Sequence, residues 1–244
     1  MWTDLADVWP TTVYQLEKVL AGKEWQVVTY DICNNECCCF FSPTETACTV
    51  CGEPRFDAHG CARRIVLYVP LRRRLLSLVA NQGFVNLIEY DHQPRAGLFC
   101  DIRDGTEWSR IMAPLLATNK HCLALACCID GVSKGKFSVK TESVWIHVTK
   151  IMSLPPAYRN KPEFQLLNFV LPGKCKNFAA YGQIYARECQ DLFEDAIAGL
   201  VFLVADNPAM SMVTGTTGSA GQQGCHLVCI AECNQYIVNI ITKP

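Results

Sequence analysis

The sequence predicts an α/β protein, a mixed sheet with helices behind a small cysteine-rich segment. Three observations predict it. Four cysteines form two close pairs near the N-terminus, Cys33-x3-Cys37 and Cys48-x2-Cys51-Gly52. Beyond residue 118, several apolar runs of strand length each end in a turn signal, with one long helical pattern among them. Half of the 244 residues are apolar and 18% are charged, the profile of a chain that buries a proper core.

The cysteine segment comes first. Two close pairs across a short loop are how a chain wraps one tetrahedral ion, and a closed set of four thiolates suits structural zinc. Cys33, Cys37, Cys48 and Cys51 are the expected ligands of a zinc-ribbon-like segment, with Gly52 turning the backbone after the last of them. Cys38 and Cys39 blur the register of the first pair, and the alternative reading is a cysteine-rich loop packed as small hydrophobes.

The other elements follow in order. Residues 11–30 read as a helix broken at Gly22 and then an extended run from Trp25 to Tyr30. Ile65 to Val69 is an apolar stretch stopped by Pro70, and Leu71 to Leu87 has helical spacing with arginines on its other side. A loop leads to a short helix around Trp108 to Leu116. Then come Cys122 to Ile129, a strand buried on both faces and closed by Asp130-Gly131, and the extended runs Ser143 to Met152 and Phe164 to Leu171. A helix over Ala179 to Ala198 and a last apolar run, Ile197 to Ala205, complete the set. Strand, strand, strand, helix, strand is the opening order of a ribonuclease H-like sheet. The expected divisions are 1–57, a helix plus the cysteine segment; 58–118, a helical linker; and 119–244, a partial ribonuclease H-like core.

Asp130 and Asp206 each stand at the C-terminal end of a buried apolar strand. If those strands are parallel neighbours, both carboxylates meet at the sheet edge where open α/β sheets bind ligands. Two such carboxylates can hold a pair of divalent ions about 4 Å apart, and hard oxygen ligands select magnesium or manganese. The alternative readings are ordinary: Asp-Gly as a turn, and Asp206 capping a helix that begins at Pro208. A glycine-rich loop after Asp206 leads to Cys225-x3-Cys229, a candidate second zinc site.

Composition narrows the setting. The sixteen cysteines, with CxxC-type pairing and no secretory leader expected, fit metal sites and buried thiols in a reducing compartment. The longest apolar run, Ala198 to Ala205, is too short to cross a bilayer, so no membrane partner is expected. Net charge is −1, unlike a general nucleic-acid binder. Yet residues 1–60 set three cations against nine carboxylates, while 61–100 set six arginines against two carboxylates. Arg63, Arg64, Arg72, Arg73 and Arg74 can grip phosphates, or they form the solvated face of a helix.

These residues also resemble a family. Asp31-Ile-Cys-Asn-Asn-Glu-Cys37 with Cys48-Thr-Val-Cys-Gly-Glu-Pro-Arg-Phe56 resembles the cysteine segment of CACTA (En/Spm) superfamily transposases, most of all the fungal Plavaka-like branch. Six further pieces are similar in the family's order: Tyr68-Val-Pro-Leu-Arg-Arg-Arg-Leu75, Asp101-Ile-Arg-Asp-Gly105, Ile129-Asp-Gly131, Leu154-Pro-Pro-Ala-Tyr-Arg159, Val170-Leu-Pro-Gly173 and Ala205-Asp-Asn-Pro-Ala209. Gly218 to Cys229 is similar to the stretch that follows, although the family spaces its second cysteine pair by two residues. The resemblance spans about residues 25–230. It implies a nuclear (alternatively cytoplasmic), non-secreted transposase core that cuts and rejoins DNA with two metal ions. Its partners would be transposon ends, target DNA and further copies of itself. Asp130 and Asp206 would be the first two acids of a DDE/D triad. The family's third acid lies further downstream than Pro244, so this chain is expected to be a truncated, diverged copy, weak or inactive alone. The competing expectation is a zinc-stabilised module that binds DNA or protein without chemistry.

Overall fold

In the computed structural model of this chain, the described residues are 27–95, 97–133, 143–172 and 177–205. The helix expected within 11–30 lies outside them. Two sheets carry the fold. The smaller is antiparallel and has the order β2-β1-β3, with β1 Val28–Ile32, β2 Cys39–Phe40 and β3 Ile65–Tyr68. The larger has the order β6-β5-β4-β7, with β4 Leu123–Ser133, β5 Ser143–Ile151, β6 Gln165–Pro172 and β7 Ala198–Ala205. β4 runs antiparallel to β5 and parallel to β7, and β5 runs antiparallel to β6. The amide of Val69, just past β3, donates to the Asn168 carbonyl at 2.8 Å and joins the two sheets at the β6 edge.

The helices are α1 Arg72–Val79, α2 Gln82–Ile88, α3 Thr106–Thr118, the single turn α4 Pro156–Arg159, and α5 Ala179–Glu194. α5 buries Tyr181, Ile184, Tyr185, Cys189 and Leu192 against one face of the larger sheet, where they meet Leu123, Leu125, Cys127 and Ile129. α3 covers the first part of β4 on the other face through Met112 and Leu115, over Cys122 and Ala124. One core cluster runs from Ile32 through Tyr68, Leu75 and Phe84 to Ala198, so the segments expected at 1–57, 58–118 and 119–244 share a hydrophobic interior.

Two expectations need correction. The helix expected over Leu71 to Leu87 is two helices. Asn81 turns extended (φ −92°, ψ 114°), and its side chain accepts from the amides of Gly83 and Phe84 to start α2 afresh. Asp130-Gly131 is also not a turn: β4 continues through both residues to Ser133, paired with β5. The glycine serves a close approach instead, since a Cβ on Gly131 would sit 3.3 Å from the Trp145 ring.

Buried polar groups are matched internally. The Arg159 guanidinium donates to both Asp101 oxygens at 2.8 and 2.9 Å, to Tyr90 Oη and to the Leu154 carbonyl. Their side chains are 10% and 4% exposed. This pins α4 to the loop before α3. At the sheet centre, His147 sits between Cys127 Sγ (2.9 Å) and Asn168 Oδ1 (3.2 Å), stacked 4.3 Å from the Phe169 ring.

Removing one partner of a buried ion pair strands the other charge. Arg159→Ala is therefore expected to cost about 3 kcal/mol of unfolding free energy in denaturant titrations. Burial pulls the His147 pKa down to about 3 from an ordinary 6.5. The unfolded chain then takes up a proton that the folded chain refuses. This contribution is whole above about pH 6.5 and is lost as pH falls towards 3, at up to about 1.4 kcal/mol per pH unit. His147→Gln is expected to flatten the stability profile between about pH 6 and 4.5, as read from denaturation midpoints beside the unaltered chain.

Candidate functional site

The cysteine segment is built from two turns on one small sheet. The first pair lies on the turn between β1 and β2. There the Cys33 amide donates to the Cys38 carbonyl, and Glu36 takes a left-handed backbone (φ 60°) to bring Cys37 round. The second pair lies on a turn closed by Gly52 N to Cys48 O at 2.8 Å, with Gly52 at φ 74° as its position requires. Arg55 fastens this turn to β1: it bonds Asp31 at 2.7 Å and the carbonyls of Ser42 and Glu45, and lies over the rings of Phe40 and Phe56.

The result brings the four expected ligands together. The Sγ atoms of Cys33, Cys37, Cys48 and Cys51 all lie within 4.8 Å of one another, so they can hold a structural metal such as zinc. Tetrahedral zinc with sulfur at about 2.3 Å needs sulfur pairs about 3.8 Å apart, a small adjustment of this arrangement, in which Cys33 and Cys51 are already 3.5 Å apart. Cys38 Sγ touches Cys48 Sγ at 3.4 Å but lies outside the four, and Cys39 points into the main core, which resolves the register of the first pair.

The thiols are electrostatically unequal. Burial pushes Cys37 up to about 12, and the Cys51 and Cys33 thiols beside it add to this. Cys38 likewise rises to about 12 through burial and its contact with Cys48. Burial works against the Cys48 thiolate too, but donation from the amides of Cys51 and Val50 and from the Cys38 and Cys51 thiols prevails and brings it to about 6. Cys48 is thus the thiol of the cluster most easily ionised, while Cys37 resists ionisation. A dication lifts that resistance, and its binding expels protons.

Glu36 connects the cluster to the larger sheet. Its carboxylate is fully buried and pairs with Arg64. It accepts from the Asn177 amide at 2.8 Å and from Tyr181 Oη at 3.2 Å, while its carbonyl accepts from the Ala180 amide. In the sequence it looked like a spacer between ligands. A second carboxylate, Glu188 on α5, accepts from Tyr68 Oη and from the amides of Leu71 and Arg72, which caps α1 from a distance.

Those bonds bear on the five arginines. Arg64 pairs with buried Glu36, and the half-buried Arg74 points its guanidinium at the Val69 and Pro70 carbonyls, so both are structural. Arg63 pairs with Glu53 and Arg72 with Asp195 in partly exposed pairs, and Arg73 is exposed. Only these last three stand where a phosphate could compete for them.

Asp130 is exposed on β4, one residue past the pairing of Ile129 with Ala205 on the parallel strand β7. Asp206, next in the chain, lies outside the described residues, as do Cys225 and Cys229. Cys127, His147 and Asn168 have the residue types and order of contacts of a nucleophilic triad. They are 3%, 0% and 0% exposed, however, and burial holds the thiol well above its usual range, so they are a core network. Among the described residues no helix is long and apolar enough to cross a membrane. No protein-family model, no curated protein and no solved structure matches this chain.

The four-cysteine cluster is expected to hold one zinc ion, so that by elemental analysis Cys37→Ser loses one zinc equivalent that Cys38→Ser keeps. Chelation is expected to lower its melting temperature by roughly 5 °C or more, the shift that about 2 kcal/mol gives in a domain of this size.

Proposed function

We propose that this chain is a ribonuclease H-like, transposase-type core in which Asp130 and Asp206 hold magnesium or manganese for phosphodiester cleavage and strand transfer. The observation that carries the reading is the parallel register of β4 and β7. It pairs Ile129 with Ala205, and each is followed directly in sequence by an aspartate. The sheet order β6-β5-β4-β7, with only the last pair parallel, is the order this class of core begins with. The strand that continues through Asp130-Gly131 removes the turn as an explanation for that aspartate. In this reading one ion activates a water or a 3′ hydroxyl and the other steadies the leaving oxygen. The zinc segment is scaffolding, since four thiolates leave no open coordination position. Glu188 accepts from the first amides of α1, a structural use of that acid.

The second reading is a zinc-stabilised, transposase-derived module that binds DNA or protein without catalysis. One observation favours it: among the described residues, the four cysteines come together as a group that can hold a metal.

Cleavage of labelled DNA by the zinc-loaded chain in manganese separates the two. The first reading expects cleavage to fall by at least about 100-fold in both Asp130→Asn and Asp206→Asn, a loss of roughly 3 kcal/mol at the transition state. Salt-sensitive DNA binding with no cleavage, unchanged in both variants, establishes the second.

A further inference from the structure

At the end of the larger sheet remote from Asp130, α2, α3 and the strand ends enclose a hollow of about 310 Å³. Its floor is apolar and buried: Ile88, Met112 and Cys122 are 8%, 0% and 2% exposed. Trp108 and Leu116 stand one turn to either side of Met112 on α3, and Tyr90 also lines the hollow.

Arg103 supplies the charge. Its guanidinium lies 4.0 Å from the Tyr90 ring and 5.4 Å from that of Trp108. Nη2 donates to the carbonyls of Ile88 (3.1 Å) and Ser153 (2.5 Å), and Nη1 makes only a long 3.4 Å bond to Tyr90 O. Its Nε is buried without a partner. Among the described residues no carboxylate pairs with Arg103. At the rim, Glu89 lies 3.5 Å from Lys120 and 3.6 Å from His121. The hollow therefore keeps one positive charge over, against aromatic walls. The nearby Asp101 carboxylate also acts on Arg103 but is hydrogen-bonded to Arg159, and a partly buried cation whose own hydrogen bonds all go to carbonyls favours an anion beside it.

We propose that this hollow is a binding site for a small molecule joining a flat ring to an anionic group, a nucleoside monophosphate or an aromatic carboxylate. The ring lies against Trp108 and Tyr90 over the Met112 floor, and the anion faces Arg103 and Lys120. The volume is at the lower end of small-molecule sites, enough for one ring system and its charged group. Cys122 and Asp130 are eight residues apart on one extended segment, about 25 Å, so this site is separate from any chemistry at Asp130.

Titration calorimetry of the zinc-loaded full chain tests it, with adenosine monophosphate, 4-hydroxybenzoate, adenosine and inorganic phosphate as probes. Binding of adenosine monophosphate alone supports a nucleotide site, and binding of 4-hydroxybenzoate alone an aromatic-acid site. Either must exceed adenosine and phosphate by about tenfold. Leu116→Trp, at a rim position 38% exposed, fills the mouth and is expected to weaken the winning probe by at least about tenfold while zinc content stays unchanged. No heat from either ring-bearing anion, equal binding by adenosine or phosphate, or binding that survives Leu116→Trp overturns the proposal.

Discussion

A parallel pair of strands cannot be closed by a tight turn. β4 and β7 are such a pair, and the chain between them must leave the strand, travel and return. It does so through β5, β6 and α5, which places two antiparallel strands on one side of β4 and a helix over its face. β4 is left hydrogen-bonded on both edges and covered on both faces over its first half, which explains its unbroken apolar run. The same enclosure constrains every polar group under α5. Cys127, His147, Asn168, Thr149 and Tyr185 therefore bond one another in a closed network, Thr149 Oγ1 lying 2.6 Å from Asn168 Oδ1 and 3.0 Å from Tyr185 Oη. A thiol beside an imidazole beside an amide is here a consequence of burial, because a reactive cysteine needs an approach path and a depressed pKa and this one has neither.

Two carboxylates, with the Cys39 amide bonded to Gln183 Oε1 between them at 2.9 Å, attach the N-terminal segment to α5. Glu36 reaches the start of the helix, through the Asn177 and Ala180 amides and Tyr181. Glu188, two turns further on, holds Tyr68 and the first amides of α1. Glu36 also stands directly before Cys37, so the geometry of the cysteine cluster and the seating of α5 share one side chain. A metal at the cysteines would hold more than its own loops. It would fix the turn that positions Glu36, and through Glu36 the end of α5 that leads from β6 into the crossover.

The strands were legible because apolar runs closed by prolines and glycines encode burial and direction change together. β3, β5, β6 and β7 lie within a residue or so of where those signals put them. What stayed hidden depended on neighbours distant in sequence. Asp130-Gly131 carries a turn signal, and only the indole of Trp145 across the strand pair explains the glycine otherwise. β2 is two residues long, too short for any periodicity. The break at Asn81 rests on a cap, which helical spacing does not reveal. The clustering of the four cysteines was legible from their spacing, with Cys38 and Cys39 leaving the first pair's register open, whereas the role of Glu36 among them was not. Neither a left-handed glutamate nor a carboxylate with partners near residue 180 leaves a local trace.

The charge pattern sets an acidic stretch, 1–60, before an arginine-rich one, 61–100, whose arginines can grip phosphates or form the solvated face of a helix. The fold brings them together instead: Arg63 meets Glu53 and Arg64 meets Glu36, while Arg55 inside the acidic stretch meets Asp31. Opposite charges in adjacent segments that pair in antiparallel strands neutralise each other first, and only the surplus faces outward. Partly exposed pairs such as Arg72–Asp195 contribute little to stability and exchange partners readily, so Arg63, Arg72 and Arg73 remain usable by a polyanion while Arg64 and Arg74 do not. A phosphate surface on this chain would thus be small and salt-sensitive. Asp130 owes its place to strand register instead, one residue past the pairing of Ile129 with Ala205.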